Sequence, residues 1–225
     1  MTNWLLLHGT PLGPAVWDSV LPLLEGDVTV PAITPGAHAA ERGQQQGIAR
    51  RLTERHVDGQ PPWHVVGHSY GGQVALELAV QSPQLVSELT LLCTRDTPYP
   101  PFAAAAARLD GEDVPDETLA RWFGPSELSA DGPAVRQVRA MLQGADRAAW
   151  SRAVAAIAVF DCSGQTSSIR CPTTVVAAEH DAVSTPEAMN AMHRRLPDSQ
   201  FVVLDDAWHM SIFTDPAKLE GLLAG

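Results

Sequence analysis

The stretch Trp63-His64-Val65-Val66-Gly67-His68-Ser69-Tyr70-Gly71-Gly72 begins as a short apolar run and closes as a glycine-rich turn. The residues that follow, Gln73 to Val80, place apolar side chains at Val74, Ala75, Leu78 and Ala79, the spacing of one helix face. A strand, a tight turn and a helix are therefore expected end to end. Gly67 and Gly71 flank Ser69, so no side chain obstructs the close approach of strand and helix, and the hydroxyl can stand out on a strained turn. Serine is also a good helix N-cap, and the pattern by itself does not separate a capping turn from a nucleophile.

Outward from this turn, apolar runs of strand length alternate with longer amphipathic runs, the rhythm of a parallel α/β sheet. Strands are expected at Trp4 to Leu7, Val28 to Ile33, Trp63 to Val66 and Leu89 to Cys93. Helices are expected over Val16 to Leu24, Gln44 to His56 and Gly72 to Gln81, the last ended by Pro83. After Asp96 the rhythm breaks at Thr97-Pro98-Tyr99-Pro100-Pro101, followed by an alanine run and helical segments over Asp116 to Phe123, Ala134 to Leu142 and Arg147 to Val159. Strands resume near Cys171 to Val176 and Phe201 to Leu204, with helices near Pro186 to Arg195 and Pro216 to Leu223. The expected organisation is an α/β core formed by residues 1–96 and 164–225, interrupted by an all-helical insertion over 97–163.

A chain of 225 residues with 45% hydrophobic content can bury a sizeable single core. Fifteen basic against 26 acidic residues leave a net charge of −11, which opposes nucleic acids and anionic membrane surfaces as partners. A small-molecule substrate is the expected partner, and the oligomeric state is left open. The first residues run directly into Asn3-Trp4-Leu5-Leu6-Leu7-His8-Gly9, too short an apolar run for a signal peptide, and no stretch reaches transmembrane length. Cys93, Cys162 and Cys171 form an odd set without the close pairs that metal sites favour. Reduced thiols, a cytoplasmic location and no metal follow as expectations.

A serine hydroxyl is a weak nucleophile that needs a histidine to take its proton and a carboxylate to orient that histidine. His209 follows the last strand in Asp205-Asp206-Ala207-Trp208-His209-Met210, and Asp181 follows the preceding strand in Glu179-His180-Asp181-Ala182-Val183. Both are expected at the carboxyl edge of the sheet, where open parallel sheets carry their sites. An oxyanion hole would need two backbone donors, the amide of Tyr70 after the nucleophile and the amide of Thr10 in His8-Gly9-Thr10-Pro11. Pro11 has no N–H.

The pieces Leu7-His8-Gly9, Pro31 to Gly36, Gly67-His68-Ser69-Tyr70-Gly71-Gly72, Ile169-Arg170-Cys171-Pro172-Thr173 and the Asp181 and His209 loops together resemble the α/β-hydrolase superfamily. Ser69, Asp181 and His209 also follow one another in that family's order. The resemblance implies a mostly parallel, six-stranded α/β-hydrolase sheet with helices on both faces and a helical lid. The start of the chain almost within the first strand is similar to the methylesterase and hydroxynitrile lyase branch. Met210 stands where the lyases have a lysine, which disfavours the cyanohydrin reaction. Ile33-Thr34-Pro35-Gly36-Ala37-His38 lacks the acidic residue and charged turn common after the second strand.

Several residues admit two readings. Asp96, after the fourth strand, is a rival to Asp181 as the acid. Arg95 could bind a substrate carboxylate or be an exposed or salt-bridged arginine. His8, His68 and His180 read as structural. Trp122, Phe123, Met141, Trp150 and Phe160 read as lid core, with Trp122 and Trp150 also candidates to contact substrate. The leading expectation is a cofactor-free serine hydrolase that cleaves a small ester, lactone or thioester through an acyl-enzyme on Ser69. The alternatives are a lyase or carbon–carbon bond reaction of the same triad on an anionic substrate, and a small-molecule receptor without turnover.

Overall fold

The computed structural model describes residues 1–35, 43–55, 62–109 and 114–223. Gly36, Ala37, His38 and His56, which figure in the expectations above, lie outside the described residues. Strand β1 (Thr2–Leu7) is followed by two 3-10 turns, Pro14–Ser19 and Leu21–Leu23, then β2 (Gly26–Thr29) and α1 (Gln44–Arg55). The strand β3 (Trp63–His68), the helix α2 (Tyr70–Gln81) and β4 (Val86–Leu92) complete the first half. Five helices intervene: α3 (Pro101–Ala106), α4 (Val114–Trp122), α5 (Pro125–Ala130), α6 (Pro133–Gln143) and α7 (Arg147–Val159). Then come β5 (Thr173–Ala178), α8 (Pro186–His193), β6 (Ser199–Leu204) and the single turn α9 (Ser211–Thr214).

All five strand pairings are parallel, in the order β2-β1-β3-β4-β5-β6. From β1 the chain moves outward to β2, then returns to place β3 on the other side of β1. That reversal opens a crevice at the carboxyl ends of β1 and β3, where the loops carrying Thr10 and Ser69 emerge.

Strand alternation divides the core between the two faces. Trp4, Leu6, Val66, Leu92, Val176 and Ala178 pack on one side with Trp17, Phe213 and side chains of α4, α6 and α7. Leu5, Leu7, Val65, Leu91, Val175 and Ala177 pack on the other with α1, α2 and α8. The central strand β3 is buried along its whole length, as a parallel strand covered on both faces must be. Helix α7 serves both sides, with Trp150 and Val154 in one cluster and Ala153, Ala156 and Ile157 in the other.

Three expected elements differ in physical detail, among them the closing helix expected over Pro216 to Leu223, which is a 3-10 turn over Pro216–Leu219. The helix expected over 16–24 is a pair of 3-10 turns, because Pro22 cannot donate the backbone bond that a continuous α-helix needs. The second strand spans Gly26–Thr29 rather than 28–33, and Pro31 removes the donor that would extend the ladder. The alanine run forms α3 and Pro125–Ala130 forms α5, neither of which helical periodicity had marked. Among the described residues, no helix is long and apolar enough to cross a membrane.

Candidate active site

Ser69 lies between β3 and α2 with φ 54° and ψ −119°, a backbone region that costs a non-glycine residue roughly 1–3 kcal/mol. The surroundings hold it there. Its N–H donates to the Leu92 carbonyl at 2.9 Å, while its own carbonyl accepts from the Gly72 amide at 2.9 Å and the Thr94 hydroxyl at 2.7 Å. The glycines leave the room that this packing requires. A Cβ on Gly71 would stand 2.1 Å from the Leu7 carbonyl oxygen, and one on Gly67 would stand 2.7 Å from the Gly71 carbonyl oxygen.

His209 is buried on the loop after β6, and its Nδ1 lies 2.6 Å from Asp181 Oδ2. The other carboxylate oxygen of Asp181 accepts the amides of Val183 at 2.8 Å and Ser184 at 3.0 Å. Burial alone would raise the Asp181 pKa, but His209 and these two amides outweigh it and hold the carboxyl below its ordinary range. With Nδ1 bonded to a carboxylate, Nε2 is the remaining ring nitrogen of His209.

Ser69 and His209 line one narrow cavity of about 50 Å³ together with Thr10, Trp122, Trp150 and Val183. The remaining walls come from Phe102 and Ala105 of α3, Leu109 in the turn after it, Arg121 of α4, and Val154 and Ile157 of α7. The structure thus brings Ser69, His209, Thr10, Trp122 and Trp150 to one space, with Asp181 directly behind His209. Tyr70 is the first residue of α2, so its N–H is among those that have no partner within the helix.

The rival acid is committed elsewhere. Asp96 is fully buried, and its carboxylate accepts Arg195 Nε at 2.9 Å, Arg195 Nη2 at 2.6 Å and the Thr166 hydroxyl at 3.0 Å. Arg95, expected as a possible substrate contact, instead buttresses the acid loop. Its guanidinium donates to the Val183 carbonyl at 2.9 Å and to the Thr97 carbonyl at 2.9 Å, and it stacks over Tyr99. It is not among the cavity-lining residues. The physical reason is local: Arg95 follows β4 on the side where the Asp181 loop passes, so backbone carbonyls take its donors.

The neighbouring histidines act on backbone. His8 donates from Nδ1 to the Gly9 carbonyl at 2.8 Å and accepts the Ile33 amide on Nε2 at 3.1 Å, tying two strand-end loops together. His68 is fully buried, donates from Nε2 to the His209 carbonyl at 3.0 Å, and packs its ring 4.8 Å from that of His209. Burial, with the nearby His209 adding to it, pushes its pKa down to about 3. Helix α4 grips the same loop from the other side: the Trp122 carbonyl accepts the Met210 amide at 3.0 Å, and the Trp122 ring lies 5.7 Å from His209.

Among the described residues, His68, Cys93 and His209 form the one group able to offer three metal-ligand atoms, all within 4.8 Å of one another. Two of the ring nitrogens are already bonded, His209 Nδ1 to Asp181 and His68 Nε2 to the His209 carbonyl. The donor set therefore fits a packed support for His209 better than a metal centre. Arg121 was not anticipated. It sits within the amphipathic pattern of α4, and only the packing of that helix over the sheet reveals that it faces the cavity.

The protein from Nitrosospira multiformis named pimeloyl-[acyl-carrier protein] methyl ester esterase is 24% identical over 235 residues, covering 95% of this chain and 89% of that protein. A thermophilic esterase from Thermogutta terrifontis superposes with a TM-score of 0.86 at 25% identity, covering 99% of this chain and 88% of the other. The enol-lactonase from Burkholderia xenovorans superposes with a TM-score of 0.87 at 19% identity, over 98% and 90% of the two chains, a likeness of fold alone. The sequence profile of the alpha/beta hydrolase family matches residues 4–221, end to end across the sheet and the site just described, and the chain belongs to that family.

Proposed function

We propose that this hydrolase cleaves a small carboxylic ester, lactone or thioester through an acyl-enzyme on Ser69. The observation that carries the reading is that His209, bonded through Nδ1 to Asp181 at 2.6 Å, shares one cavity with Ser69. In this reading the Ser69 oxygen attacks the acyl carbon while its proton passes to His209 Nε2. The tetrahedral oxyanion draws on the Tyr70 and Thr10 amides, each worth about 3 kcal/mol of barrier. The bond to the leaving alcohol then breaks, and His209 returns the proton to that oxygen. Water attacks the acyl carbon next, giving its proton to His209, which passes it to the departing Ser69 oxygen as the acid is released.

Residues 97–163 act as the lid in this account, since their side chains form most of the cavity wall. The narrowness and apolar lining favour short acyl or alcohol groups. The named activities of the methyl ester esterase and esterase relatives support ester hydrolysis. A reducing compartment such as the cytoplasm fits three free cysteines, two of them buried.

The test is labelling with a fluorophosphonate probe, followed by turnover of short-chain nitrophenyl esters. Wild-type protein should label and hydrolyse, and Ser69→Ala should do neither. Equal labelling of both proteins, or none of the wild type, overturns the reading.

A further inference from the structure

The cavity has one feature that hydrolysis of a plain apolar ester does not use. Among the described residues that line it, Arg121 is the only ionisable side chain apart from His209. Arg121 is exposed as a residue, which puts it at the rim, and its position is defined by its neighbour. The Trp122 carbonyl holds the Met210 amide at 3.0 Å, so the end of α4 is seated on the His209 loop. Among the described residues the guanidinium makes one long bond, 3.5 Å to the Thr118 hydroxyl. Among the described residues, no carboxylate lies within ion-pair distance of it. A planar fork of five donors at the mouth of an apolar pocket, with most donors unspent, suits a carboxylate, which it can take in a bidentate manner. The chain as a whole carries a charge of −11, so its general field repels anions, and a local cation is what would admit one.

Resting on the reading of Ser69 as nucleophile, we infer that the preferred substrates are esters carrying a free carboxylate that docks on Arg121 while the ester carbonyl lies at Ser69. Monoesters of short dicarboxylic acids are the simplest such compounds. Esters of hydroxy acids would present the same carboxylate on the leaving group.

The experiment compares kcat/KM for monoethyl succinate, glutarate and adipate, for O-acetyl glycolic and O-acetyl lactic acids with the carboxyl free, and for the corresponding neutral ethyl esters of each. Wild type should favour one charged series over its neutral counterpart. Arg121→Gln should lower that series by about 10-fold or more, the loss expected for a charge-assisted hydrogen bond. It should lower the neutral diesters by a clearly smaller factor, so that the charged-over-neutral preference shrinks, and Arg121→Lys should recover part of that preference. A wild type that prefers the diesters, or an Arg121→Gln protein in which charged and neutral esters fall equally, overturns the inference. Binding separates this outcome from failure of the nucleophile reading. Glutarate and adipate should raise the Tm of wild type and of Ser69→Ala alike, and should leave that of Arg121→Gln unmoved. Stabilisation without fluorophosphonate labelling would sink the acyl-enzyme and keep the carboxylate site, whereas labelling with no stabilisation by either diacid would do the reverse.

Discussion

The strand-end loops that carry Ser69, Asp181 and His209 face the helices of residues 97–163 across one cavity, and the two sides are built differently. On the strand side, position is set by backbone: the Ser69 carbonyl is bonded to Gly72 and Thr94, the Asp181 carboxylate to the Val183 and Ser184 amides, and the His209 carbonyl to His68. On the helix side, Phe102, Leu109, Trp122, Trp150, Val154 and Ile157 meet the cavity through side chains. Groups that must sit within tenths of an ångström of a reacting atom are held by many short bonds. A wall that only shapes and excludes can be made of apolar side chains, each replaceable at modest cost. Chemistry should therefore break with changes on the strand side, and selectivity should shift with changes on the helix side.

The largest expected effect separates the two candidate acids. Asp181→Asn should lower kcat by about 10⁴-fold, since His209 would lose the partner that sets its tautomer. Asp96→Asn should leave kcat within a few-fold. It should instead lower stability by about 1–3 kcal/mol, the range for losing a charge-assisted hydrogen bond, because Arg195 loses its carboxylate but is one-third exposed and can turn to water. The pair of variants, read by kcat and by Tm, sharpens the contrast between a carboxylate that orients His209 and one that braces the fold.

Gly71→Ala comes next. Its Cβ would lie 2.1 Å from the Leu7 carbonyl oxygen, so α2 must shift away from β1 and carry the Tyr70 amide with it. A fall of roughly 10²-fold in kcat is expected if one oxyanion donor is displaced, accompanied by a lower Tm. An alanine protein with wild-type kcat would break the claim that strand-side backbone sets the chemistry.

His68 predicts a pH signature. Its folded pKa is about 3, below the ordinary value near 6.5 that an unfolded histidine keeps. Below about pH 6.5 the unfolded chain binds a proton that the folded chain refuses. The His68 contribution to stability is thus full above that pH and is lost progressively as pH falls toward 3. His68→Asn should show a flatter decline of stability between those limits in denaturant titrations. His64, lowered to about 4 by burial, titrates in the same window but is present in both proteins, so the difference between them isolates His68. The smallest effect lies across the cavity, where Trp150→Ala should move the preferred acyl chain toward longer lengths while changing acetyl ester kcat by only about 3-fold, within the scatter of single pocket substitutions.

Much of the strand side was legible in residue order. The alternation of apolar strands with amphipathic runs implies a parallel sheet, and glycines at 67 and 71 mark where a helix must crowd a strand. Asp181 and His209 could be named because each follows a strand directly, and strand ends share one edge. The helix side was far less legible. Trp122 and Trp150 were nameable as large apolar residues, but α5 and the direction of Arg121 were not. Arg95 was read as a candidate substrate contact, and its donors instead go to Val183 and Thr97. Helical periodicity tells which residues share a face and is silent on what that face meets.

The sequence by itself determined the sheet, the serine turn and the chain order of Ser69, Asp181 and His209, because strand period, glycine permissiveness and strand-end position are properties of a few consecutive residues. Tertiary structure alone decided that Asp96 serves Arg195 rather than His209, that Arg95 braces a loop, and that Arg121 reaches the cavity. Those outcomes depend on how elements dozens of residues apart pack together, and a side chain's partner is set by that packing rather than by its neighbours along the chain.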